Sequence, residues 1–168
     1  MASKSHTPAK QMTAWWLARI RKLKTVEECR TFAKEVEGRD ELVTACKVQE
    51  AHVAPRRKGV PEPRPGVEKR IYDDMRTLER LEGKRLSRSW QMIANRGYVG
   101  AVENILSKYS TPTRVRTSSG FRIALKHARL ECTYEQTVLD YPKVFSKEAR
   151  AEARRRLNEL KARRTGTR

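Results

Sequence analysis

A chain of 168 residues with a net charge of +18 and an isoelectric point near 10.4 has the size of one domain, or of one domain with a small satellite. Such a field favours polyanions, and 38% hydrophobic residues are enough for a modest core. No stretch approaches the ~18 apolar residues that a membrane span needs. The opening MASKSHTPAKQM lacks a signal-peptide core, so a soluble cytoplasmic protein with no membrane role is expected.

Residues 1–11 read as a flexible basic tail. Met12, Trp16, Ile20 and Leu23 then fall at helical spacing and predict a helix over 13–23. Thr25-Val-Glu-Glu28 has the form of a capping box, in which threonine and glutamate side chains satisfy free amides at a helix start. The helix it opens would turn Val26, Cys29, Phe32, Ala33 and Val36 inward and stop at Gly38. Asp40 is expected to cap a third helix bearing Leu42, Val43 and Cys46.

The segment APRRKGVPEPRPG, residues 54–66, holds four prolines and four bases. Proline at that density cannot sustain a helix, so an extended linker is predicted. It would either track a phosphate backbone or simply act as a spacer. Beyond it, Val67, Ile71, Met75, Leu78 and Leu81 form a long stripe ending at Gly83. The other face of that helix mixes five acids with four bases, which marks a scaffold and not a polyanion contact.

Ser87 caps a short helix carrying Trp90, Ile93 and Ala94, stopped by Gly97. Val99, Val102, Ile105, Leu106 and Tyr109 mark the next. Residues 110–119 read as loop, and Phe121, Ala124, Leu125 and Ala128 resume a helix. Thr133-Tyr-Glu-Gln136 is a second capping box, and its helix ends before Pro142. From Ser146 the last helix has a narrow seam of Ala149, Ala153, Leu157 and Leu160, with Arg150, Arg154, Arg155, Arg156, Arg163 and Arg164 on its other faces. No segment alternates with period two between hairpin turns, so the expected fold is all-α.

The three cysteines, Cys29, Cys46 and Cys132, are too few and too scattered for a disulfide framework or a zinc site. Cys29 and Cys46 lie on apolar stripes and should be buried thiols in a reducing compartment. His6, His52 and His127 share no ligand spacing, so neither metal nor cofactor is expected.

Charge is the most informative feature. Residues 83–130 contain ten bases and a single acid, Glu103, and residues 146–168 contain nine bases and three acids. An ordinary solvated surface interleaves both signs. A phosphate-facing surface explains the loss of acids after Glu82, and binding of that kind weakens steeply with salt. Within STPTRVRTSS, hydroxyls accompany Arg114 and Arg116, and Ser118 and Ser119 stand where a helix start would offer free amides. The bland reading of those serines is an N-cap, which is compatible with phosphate contact.

The helices around Gly97 suggest a helix-turn-helix, but VGAVENILSKY offers few side chains suited to base edges. A core helical hairpin is the stronger reading. Trp90, Tyr109 and Phe121 fall on apolar stripes, which favours core over base stacking. Asp74, Glu82 and Lys84 have the order of one nuclease class. Eight residues on a helix, however, separate the two carboxylates by ~12 Å, too far to share a metal.

SRSWQMIANRGYVGAVENIL and TYEQTVLDYPKVFS carry a serine-arginine, Gln-Met-Ile, a glycine and Ala-Val-Glu in order. In this the chain resembles a group of bacterial proteins of unassigned function. The resemblance spans residues 67–157. It implies that this region is one domain, points to a bacterial or phage source, and carries over no activity.

The expected organisation is therefore a three-helix unit over 1–53, a linker over 54–66, a basic helical domain over 67–163 and a basic tail over 164–168. The expected function is non-catalytic nucleic-acid binding, DNA ahead of RNA, in a regulatory, defence or mobile-element context. Phosphate contacts are expected from Arg114, Arg116, Arg122, Lys126 and Arg129 with Ser118 and Ser119. Arg85, Arg88, Arg154 and Arg155 are secondary. RNA or ribosome binding is the alternative with the same chemistry. An interaction protein that inhibits or recruits a nucleic-acid enzyme is the alternative of another class, and a metal-dependent nuclease comes last. The seam of the final helix could serve a homodimer.

Overall fold

A computed structural model describes residues 9–108, 110–111, 114–115 and 118–164, with side-chain surroundings for 12–107 and 118–160. Among the described residues the fold is all-α apart from one two-residue ladder, as the apolar spacing predicts. It divides into two compact units, Met1–Arg56 and Arg57–Arg168. Among the described residues no helix is long and apolar enough to cross a membrane.

The first unit is three helices: α1 (Ala9–Ile20), α2 (Val26–Glu35) and α3 (Asp40–Val53). Its core is Ile20, Phe32, Val36, Leu42 and Cys46, with Trp16 and Leu17 packed against it. Burial of each large apolar side chain contributes about 1.5–3 kcal/mol. The capping box at α2 is complete: Glu28 N donates to Thr25 Oγ1 at 3.1 Å, and Thr25 N donates to Glu28 Oε2 at 3.1 Å. The backbone amides of Lys24 and then Thr25, both donating to the carboxylate, hold the Glu28 carboxyl below its ordinary value.

Two expectations fail in this unit. α1 begins earlier and ends earlier than the stripe suggested, and Met12 is 48% exposed while neighbouring Trp15 is 55% exposed. Asp40 does not cap α3. Arg39 holds that position without a side-chain bond, and Asp40 is the first helical residue, where its charge complements the helix dipole.

The second unit begins with a strap, not a free tether. Arg57 N donates to Tyr72 Oη at 2.9 Å, Tyr98 Oη donates to Pro61 O at 2.7 Å, and Val60 packs on the core. Prolines leave few amides to satisfy, so two tyrosine hydroxyls suffice to bind the segment. Then come α4 (Val67–Glu82), α5 (Ser87–Lys108), α6 (Ser119–Lys126), α7 (Tyr134–Asp140) and α8 (Lys147–Arg164). Between α5 and α6, β1 (Ser110–Thr111) pairs antiparallel with β2 (Arg114–Val115) over two residues each. A 3-10 turn, Leu130–Cys132, precedes α7.

α4 buries Ile71, Met75, Leu78 and Leu81 and ends at Gly83 in the left-handed conformation, as predicted. α5 is broken at Gly97, whose φ of 70° and ψ of 173° interrupt the helix. The half before the break contributes Trp90 and Ile93 to the core, but Ala94 is exposed. The half after it buries Tyr98, Ala101, Val102, Ile105 and Leu106. That face is committed to packing, as the core reading of these helices expected. Tyr109 lies outside the described residues, while Trp90 and Phe121 are buried.

α6 stops short of the predicted Ala128. Arg129 N donates to Ala124 O at 2.7 Å and Ala128 N to Leu125 O at 3.2 Å, with Ala128 at φ 52°. This is a Schellman ending with alanine where glycine is usual. The capping box at α7 is only half formed. Thr133 Oγ1 accepts from Gln136 N at 3.1 Å, but the Gln136 side chain turns to Asp140 instead.

Candidate nucleic-acid interface

Arg76 and Arg80 are one turn apart on α4, and Lys84 follows at the same interval. Arg76 and Arg80 share a helical face, while Lys84 lies beyond it, after the left-handed Gly83. A groove of about 270 Å³ opens there, lined by Arg57, Arg76, Arg80, Lys84 and Arg85 around Glu79. The Glu79 carboxylate is fully occupied. Its Oε1 accepts from Leu86 N at 2.7 Å and from Trp90 Nε1 at 2.8 Å, and Arg57 Nη1 lies 3.1 Å from each oxygen. The Arg57 guanidinium also sits 5.1 Å from the centre of the Trp90 ring, a cation–π distance. Five cations against one carboxylate leave the groove lining with an excess of four positive charges.

The end of α6 is tied to this region at Glu82. Glu82 Oε2 accepts from Lys126 Nζ at 2.8 Å and lies 3.1 Å from His127 Nε2. Lys126 and then His127 hold the Glu82 carboxyl below its ordinary value. Because Glu82 immediately precedes Gly83 in the groove turn, this tie sets the end of α6 beside the turn bearing Lys84 and Arg85. Arg85, Arg88 and Arg122 are exposed. None of the three has a carboxylate partner among the described residues.

Of the other expected contacts, Ser118 and Arg129 have partners within the fold. Ser118 Oγ accepts from Phe121 N at 3.2 Å as the N-cap of α6, and Ser119 is exposed beside it. Arg129 Nε lies 2.8 Å from Glu131 Oε1, so part of its charge is answered at once. Arg114 enters β2 through its backbone, but its side chain, like Arg116 as a whole, lies outside the described residues.

The three consecutive arginines of α8, Arg154, Arg155 and Arg156, are placed differently. Arg154 is exposed and lines a separate groove with Leu130, Leu139 and Leu157. Arg155 grips Glu152 through Nε and Nη2, each at 2.8 Å. Arg156, expected on a solvent face, is buried: Nε reaches Glu152 Oε1 at 2.7 Å, Nη1 reaches Glu135 Oε1 at 3.1 Å, and Nη2 reaches Leu106 O at 2.8 Å. Burial works to raise the Glu152 carboxyl, yet Arg155 and Arg156 together hold it below its ordinary value.

The nuclease-like trio does not converge. Asp74 is buried and accepts from Arg70 Nε at 2.7 Å, with Thr137 Oγ1 at 3.5 Å, while Glu82 is tied to α6. Among the described residues no group of three His, Cys, Asp or Glu side chains could hold a metal ion. Cys29, Cys46 and Cys132 are free and buried. Burial, then the nearby Asp74 charge, pushes the Cys132 thiol up to about 12, the opposite of an activated nucleophile.

Arg57, Arg76 and Arg80, which lie outside the expected contact set, line the same groove as Lys84 and Arg85. No family model matches this chain, and no curated protein or solved structure matches it either. Its functional reading therefore rests on the placement of its own residues.

Proposed function

We propose that this chain is a non-catalytic nucleic-acid-binding protein that contacts the phosphates of duplex DNA through the second unit. The bacterial or phage regulatory, defence or mobile-element setting belongs to the same proposal. One observation carries it. Arg85, Arg88 and Arg122 are exposed without carboxylate partners among the described residues, while the acids of the same region, Glu79 and Glu82, are consumed by internal bonds. Cations left unanswered at a surface are what a phosphate backbone neutralises, with release of its counterions.

Electrophoretic shifts over a salt series with duplex DNA, single-stranded DNA and structured RNA test the reading. Duplex DNA should bind best, with log affinity falling linearly in log salt. Preference for structured RNA would move the assignment to the RNA alternative. Absence of any shift at low salt would move it to an interaction protein that presents a basic surface to an acidic partner. Incubation with Mg²⁺ or Mn²⁺ should leave every substrate uncut.

A further inference from the structure

We propose that the groove floored by Glu79 is a binding site for a single phosphate group, gripped by Arg76, Arg80, Lys84 and Arg85. The inference rests on the nucleic-acid reading for the origin of the phosphate, but not for the binding itself.

The floor is built and cannot swing. Glu79 takes the backbone amide of Leu86, the indole of Trp90 and the Arg57 guanidinium at once, so strap, turn and helix are fixed to one carboxylate. Only the Arg57 Nη1 is engaged in these bonds. Its Nε and Nη2 remain as donors without an acceptor among the described residues. A side chain pre-set in this way loses little freedom when an anion arrives.

The rim supplies the charge. Lys84 and Arg85 are exposed, without carboxylate partners among the described residues, and share one lining with the Arg57 guanidinium. Cations crowded into one groove repel each other, and a bound anion relieves that repulsion. Several guanidinium forks and an ammonium around one space suit an oxyanion with three or four acceptor oxygens better than a carboxylate with two.

The phosphate could be a diester in a nucleic-acid backbone or a monoester at a strand end. Thermal unfolding of the full chain in inorganic phosphate, against sodium chloride at matched ionic strength, reads the site directly. Phosphate at ten times its half-saturating concentration should raise the midpoint by about 5 °C. Lys84→Ala with Arg85→Ala should abolish that rise, while Lys143→Ala with Lys147→Ala, which removes equal charge elsewhere, should keep it. Arg80→Gln provides a second, conservative test of the grip, and it too should shrink the rise. A midpoint that rises equally in chloride, or a rise that survives the Lys84/Arg85 change, overturns the site.

Matched oligonucleotides with a 5′-phosphate or a 5′-hydroxyl then separate the sources. Tighter binding of the phosphorylated strand, lost in the double variant, assigns a strand end. Equal binding of both strands, weakened together in the double variant, assigns a backbone diester. Oligonucleotide binding untouched by the double variant, although that variant has lost the phosphate response of the wild type, overturns the nucleic-acid origin and leaves a site for a free phosphate compound. Duplex shifts without a phosphate response sink the groove alone, and a phosphate response without shifts sinks the DNA reading alone.

Discussion

Arg156 Nη1 lies 3.1 Å from Glu135 Oε1, and the two side chains are 0% and 1% exposed. With Glu152 and the Leu106 carbonyl, this one guanidinium joins α8 to α7 and to the second half of α5. Burial pushes the Glu135 carboxyl up, and Arg156 offsets that only in part.

Removing one partner of such a pair leaves a buried charge without an answer. Arg156→Ala should therefore lower the unfolding free energy by about 3–5 kcal/mol. Arg154→Ala, two residues away on an exposed face, should change it by less than about 0.5 kcal/mol. Denaturant titrations of the two variants make the comparison. Equal effects would show that Arg156 is not held as described.

Asp74 sets a pH dependence. Burial pushes its carboxyl up to about 6, against the pull of the adjacent Arg70 guanidinium. The folded chain then holds this proton more tightly than the unfolded chain does. The stability so gained is present in acid and is lost as pH rises from about 4 to about 6. It amounts to at most about 3 kcal/mol. Asp74→Asn keeps the shape and removes the titration. The difference between the stability curves of the two proteins should therefore change across that interval and be flat above it. A difference that is flat throughout would refute the assignment.

Ala128 occupies the left-handed region at φ 52°, where a Cβ costs an L-residue about 1–2 kcal/mol. Part of that cost is the same freedom that glycine regains in the unfolded chain. Ala128→Gly should raise stability by about 0.5–1 kcal/mol, read as a higher denaturant midpoint with an unchanged slope. A lower midpoint would show that the Schellman ending tolerates alanine without strain.

Replacing Arg85, Arg88 and Arg122 together with alanine should weaken duplex binding and flatten its salt dependence. Each phosphate that is no longer neutralised lowers the slope by about 0.9, so a fall of about 2–3 is expected if each arginine meets one phosphate. Circular dichroism should be unchanged, because these side chains are exposed. A loss of helical signal would show instead that they support the fold.

The helices were largely legible because apolar spacing is a local signal. Ile71, Met75, Leu78 and Leu81 fall on one face of α4 however the chain is arranged in space, and Gly83 can end it in a conformation other residues resist. Where the signal was an exchangeable one, reading failed. Ala128 closes α6 without the glycine that usually announces such an ending, and Arg39 takes the cap position that Asp40 seemed suited to. The buried arginine was hidden for a different reason. Arg154, Arg155 and Arg156 are identical in composition, and only position separates them. Arg156 lies three residues after Ala153 and seven after Ala149, on the seam itself. The basic groove could not be read from local pattern alone, since Arg57 reaches Glu79 across 22 residues of chain.

The convergence on Glu79 divides the groove into parts with different freedom to change. Its floor is shared with the strap, the turn before α5 and the Trp90 indole, so an exchange there loosens all three together. Its rim at Lys84 and Arg85 is exposed and carries no such duty. An exchange at Lys84 or Arg85 breaks none of the bonds to Glu79, so the charge at the groove's edge can change one residue at a time without loosening strap, turn or indole.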